Sequence, residues 1–79
     1  MNDKYKLYLN DLGYLLKTIA LEAKRNEKQS VKEEEKTYNA GYLMAMHRVI
    51  SLMQQQCLGF HIDLDEINLK DINPEEDLT

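Results

Sequence analysis

The chain has 79 residues, a formal charge of −4 and one cysteine. A chain this short buries little apolar surface and usually needs a disulfide, a metal or an associated chain to be stable. The single Cys57 excludes an intrachain disulfide framework and any multi-cysteine zinc site, which leaves association.

The charge is unevenly spread. Residues 1–36 carry eight Lys or Arg against seven Asp or Glu, whereas residues 61–79 carry one lysine against seven acids. That balance offers no general attraction to a phosphate backbone. The opening "MNDKYKLYLNDLGY" scatters charged and polar residues where a signal peptide would have an apolar core. No stretch approaches the roughly 20 apolar residues that cross a bilayer. The expectation is a cytoplasmic chain with no membrane contact.

A first helix is expected over residues 3–28, capped by Asn2 or Asp3 and rich in Leu, Ala, Lys and Glu. Tyr5, Tyr8, Leu12, Leu15 and Ile19 recur at steps of three and four, flanked by Leu9, Leu16 and Ala23, and read as its buried face. Leu7, Tyr14 and Leu21 form a second line roughly opposite, which suggests another contact. Lys24, Arg25 and Lys28 sit near the negative end of the helix dipole.

"SVKEEEK" then reads as a restart. Ser30 and Glu33 have capping-box spacing, and Glu33, Glu34 and Glu35 suit the positive end of a dipole. A second helix over residues 31–58 follows, giving a tight antiparallel hairpin with arms of matching length. Gly59 is the expected left-handed residue past its end, with Phe60 folded back on the last turn. Gly41 and Gly13, both mid-helix, suggest close approach of the two arms.

The second helix carries adjacent apolar pairs: Tyr42-Leu43, Ala45-Met46, Val49-Ile50 and Leu52-Met53. Together with Tyr38 and Cys57 they cover a sector wider than one neighbouring helix requires. The fold class that results is all-α: a helical hairpin in residues 1–60, dimerising into a four-helix bundle. Residues 61–79 follow as an acidic C-terminal strap that is not an independent domain. The interface expected on this reading comprises Tyr42, Leu43, Met46, Val49, Ile50, Met53, Leu7, Tyr14 and Leu21. A competing cover for the excess is the strap itself, where Ile62, Leu64, Ile67, Leu69 and Ile72 recur. Asp63 with Glu66, and Asn73 with Pro74, mark one or two helical turns in it.

Chemistry finds little footing. His47 and His61 are 14 residues apart with no ligand at helical spacing, and a calcium loop starting at Asp63 would meet Asn68 and Pro74 where glycine and glutamate are needed. The Glu33–Glu35 cluster has no facing counterpart of the kind that holds magnesium in all-helical nucleotide pyrophosphohydrolases. Cys57 reads as a small core residue. No catalytic residue, cofactor or metal is expected. The functional expectation is a non-enzymatic protein-binding module, a small homodimeric adaptor, regulator or inhibitor with an unidentified protein partner. The alternatives are nucleic-acid binding through Lys24, Arg25 and Lys28 at the hairpin tip, or mimicry of nucleic acid by the acidic strap.

Overall fold

The computed structural model describes residues 3–79. Two long helices, α1 (Asp3–Gln29) and α2 (Glu33–Gly59), pack as an antiparallel hairpin. A single 3-10 turn (Leu64–Ile67) and a one-turn helix, α3 (Pro74–Asp77), lie on the last stretch of chain, and no strand occurs among the described residues. The molecule measures 50 × 21 × 16 Å. A helix with its side chains is about 10–12 Å across, so the helices form one layer with the strap laid upon it.

The turn between the arms is closed by side chains other than the expected capping box. The Ser30 hydroxyl donates back to the Asn26 carbonyl at 2.8 Å, and the Asn39 amide reaches across from α2 to Ser30 Oγ at 2.7 Å. Helix α2 begins at Glu33 with Lys32 as its cap residue, so Ser30 lies too far back to serve Glu33. The other end of α2 also differs from expectation. Gly59 remains helical, and His61 takes the left-handed conformation (φ 57°) while the Ile62 amide donates to the Cys57 carbonyl at 2.8 Å. The bond pattern is that of a Schellman cap displaced two residues from Gly59. Phe60 points to solvent instead of folding back.

The strap runs from the open end of the hairpin to its tip, along the groove between the arms. Asn10 donates to the carbonyls of Asp65 and Glu66, Lys17 to Asn68 Oδ1 and Asp71 Oδ1, and Lys24 to the Thr79 carbonyl. These donors are spaced by seven, so they lie on one line of α1 facing the strap. On α2, Gln54 donates to the Leu69 and Ile72 carbonyls at 3.0 and 2.9 Å, and His47 Nε2 lies 3.2 Å from Glu75. The turns form where Asp63 and Asn73 suggest: Glu66 accepts from the Asp63 amide, and Asn73 Oδ1 accepts from that of Glu75 ahead of Pro74.

Apolar strap residues fill the space between these bonds. Ile67, Leu69, Ile72 and Leu78 join Ala20, Ala23, Leu43, Ile50 and Cys57 in a single core. Gly13 permits the closest contact. A β-carbon there would lie 1.6 Å from the Ile67 carbonyl oxygen, so α1 and the strap meet backbone to backbone. The close approach expected at Gly41 is absent; nothing lies within 4 Å of a β-carbon built on it.

Candidate interaction face

The paired apolar residues of α2 divide between two surfaces. The second members, Leu43, Met46, Ile50, Met53 and Cys57, turn inward: Leu43, Ile50 and Cys57 are buried, and Met46 and Met53 pack partly buried against the same core. The first members, Tyr38, Tyr42, Ala45, Val49 and Leu52, remain exposed. At about 100° per residue the two lines are neighbours on the helix, and the strap covers the side beyond the inward line.

Helix α1 is turned the same way. Its buried residues are Gly13, Lys17, Ala20 and Ala23, with Leu16 half-buried. The line Tyr5, Tyr8, Leu15 and Ile19, expected to be its buried face, stays open, with only Leu12 half-covered. Small side chains explain the difference. Gly13, Ala20 and Ala23 allow the strap and α2 to come close, whereas tyrosines and leucines on that side would hold them apart.

The two open lines share one surface. Ile19, Glu22, Ala23 and Asn26 of α1 and Tyr38, Asn39 and Tyr42 of α2 line a groove of about 270 Å³, so a carboxylate and two amides interrupt the apolar surface at this end. The Tyr38 and Tyr42 rings stand 6.2 Å apart at 45°. Together Tyr8, Leu15, Ile19, Tyr38, Tyr42, Val49 and Leu52 make an apolar face on the side of the hairpin opposite the strap. Monomeric proteins seldom expose contiguous apolar areas of this kind unless they bind something.

The nine residues expected at one dimer interface therefore point in three directions. Tyr42 and Val49 are on the open face. Leu43 and Ile50, 5% and 0% exposed, are consumed within the chain and have no surface to offer a partner. Met46 and Met53 are also packed on the core. Leu7, Tyr14 and Leu21 are exposed along the outer flank of α1, beside the strap and away from the open face.

At the tip, Lys24 pairs with Glu27 at 3.7 Å as well as binding the Thr79 carbonyl, while Arg25 and Lys28 are exposed. Cys57 is buried, and burial, reinforced by nearby Glu66, pushes its thiol pKa up, which disfavours a reactive thiolate. His61 is exposed in the Schellman turn. Among the described residues no group of three or more His, Cys, Asp or Glu is placed to hold a metal ion, and no helix is long and apolar enough to cross a membrane.

Tyr8, Leu15, Ile19, Tyr38 and Leu52 were visible in the sequence as apolar lines. Their availability to a partner was not, because periodicity gives the width of an apolar sector and leaves open which part of it a neighbour takes. Comparison with known proteins returns no match to a family model, a curated protein or a solved structure.

Proposed function

We propose that this chain is a non-enzymatic protein–protein interaction module that works as a homodimer, two hairpins closing their open faces on each other as a four-helix bundle. The observation that carries the reading is the split of the α2 pairs: one line of each pair fills the chain's own core, while Tyr38, Tyr42, Val49 and Leu52 of the adjacent line stay 38% to 69% exposed. A one-layer hairpin with an apolar face is half of a bundle, and a second identical layer supplies a matching face at the helix angles such bundles use.

The strap lies outside that bundle. It carries Asp63, Asp65, Asp71, Glu75, Glu76 and Asp77 to solvent, beside exposed Leu7 and Tyr14. A dimer presents this surface twice, which suits an adaptor or regulator that engages a further protein. The basic tip supports the nucleic-acid alternative poorly, since Lys24 is engaged within the chain and Glu33, Glu34 and Glu35 occupy the first turn of α2 at the same end.

Replacing Ile19 and Val49 together by lysine tests the reading, because both side chains reach solvent in a single chain, at 39% and 38% exposure, and a lysine there can extend its charge into water. The expected result is a fall in mass from dimer to monomer with unchanged helix content by circular dichroism. A variant with the mass of the wild type would overturn it.

A further inference from the structure

We propose that the two copies pair with their hairpin tips at the same end, so that Asp11 of each chain meets Arg48 of the other. The inference rests on the homodimer reading and adds the orientation of the partner copy. It follows from where charge sits around the open face. At about 100° per residue, Asp11 falls on the outer edge of the face along α1, while Glu22 lines the groove between the arms. Arg48 falls on its outer edge along α2, beside Ala45, Leu52 and Gln55, in a concavity that also holds Glu75, whose carboxylate pairs with His47. Asp11, Glu22 and Arg48 are exposed, and none of them forms an ion pair among the described residues.

The hairpin's own register fixes their heights. Ile19 and Ala23 share a groove with Tyr42 and Tyr38, which sets Arg48 level with the stretch of α1 around Gly13, within about one helical turn of Asp11. A twofold axis along the hairpin lays α2 of one copy over α1 of the other without changing height. Arg48 then stands beside the partner's Asp11 on both edges of the bundle, and every helix has antiparallel neighbours.

A twofold axis across the hairpin gives the tip-to-base arrangement, with α1 on α1 and α2 on α2. The apolar face extends from Tyr5 to Ile19 on α1 and from Tyr38 to Leu52 on α2, so Asp11 and Arg48 are both near its middle. Centring that arrangement on the face sets Arg48 against the partner's Arg48 and Asp11 close to the partner's Asp11. It also brings Lys4 toward the partner's Glu22, but Lys4 lies in the first turn of α1, where helices fray. In that arrangement each Arg48 approaches its own like charge, whereas the tips-together arrangement gives each Arg48 a carboxylate.

Neutralising the edge charges separates the two arrangements. In sedimentation at low salt, D11N and R48Q are each expected to weaken the dimer about tenfold or less, and the exchanged pair D11R with R48D is expected to regain the wild-type affinity. If D11N and R48Q each tighten the dimer, the tip-to-base arrangement holds and the proposal fails. A direct reading comes from spin labels at Gln29→Cys in a Cys57→Ala background. The expected label separation is about two helix diameters, against about 40 Å, the length of a 27-residue helix, for tip-to-base pairing. A monomeric mass would overturn the homodimer itself, whereas a dimer with distant tips would overturn only the orientation.

Discussion

Gly13 and Ile67 touch through their main chains: a single methyl group on Gly13 would occupy the place of the Ile67 carbonyl oxygen. The contact decides the layout of the molecule, because it draws the 3-10 turn onto α1 and turns the neighbouring tyrosine-leucine line away.

Gly13→Ala is therefore expected to lift the strap despite improving helix propensity. Hydrogen exchange should show lost protection at Leu69 and Ile72, with a lower urea midpoint. Gly41→Ala serves as the control, since nothing crowds that position. In an Ile19→Lys, Val49→Lys background, with no partner copy bound, it should stabilise the fold by about 1 kcal/mol. Equal effects of the two substitutions would contradict the strap contact.

Lys17 Nζ lies 2.6 Å from Asp71 Oδ1, and the hydrogen bond from Lys17, aided by its charge, lowers the Asp71 pKa below the usual carboxylate value despite some opposing desolvation. A carboxyl with a lowered folded-state pKa binds its proton more readily in the unfolded chain. Its contribution to stability is thus fully present above the ordinary aspartate range, near pH 4, and is lost as pH falls through the lowered value. Asp71→Asn should lower the urea midpoint at pH 7, and the difference from wild type should vanish at strongly acidic pH. A difference that persists there would assign the effect to something other than the carboxylate.

Gln54 bridges two strap carbonyls with one amide nitrogen. Gln54→Leu keeps the bulk and removes the donor, leaving the Leu69 and Ile72 carbonyls without it. A loss of about 1 kcal/mol is expected, the net worth of a part-buried hydrogen bond, measured by urea unfolding. An unchanged midpoint would show that the bridge is dispensable.

His61 holds a left-handed backbone that an ordinary side chain enters at a cost of about 1 kcal/mol or more. His61→Gly is expected to raise the thermal midpoint, because His61 is exposed and its side chain makes no bond among those described. A fall would mean that the imidazole contributes a contact of its own.

The helices and strap turns were legible because local chemistry dictates them. Three-and-four spacing marks α1 and α2, and Asn73 followed by Pro74 marks α3. The ends were less legible because tertiary bonds moved them. Asn39 took over Ser30, which a capping box would have used, and the Schellman turn settled on His61 although Gly59 was at hand.

The face was legible only as an excess. Asn10, Lys17, Lys24, His47 and Gln54 read as ordinary polar helix residues, yet each meets the strap. The signal that could have found them is their register. Asn10, Lys17 and Lys24 recur every seven residues beside Gly13, and His47 and Gln54 are seven apart on α2. A polar line at heptad spacing next to a glycine marks where a polar-backboned segment can lie, and that would have placed the tyrosine-leucine line on the open side.

The most direct test is the mass of the unmodified chain in sedimentation equilibrium at micromolar concentration. Two copies of the 9.3 kDa chain per particle are what the proposed dimer predicts. A single copy across that range would contradict it.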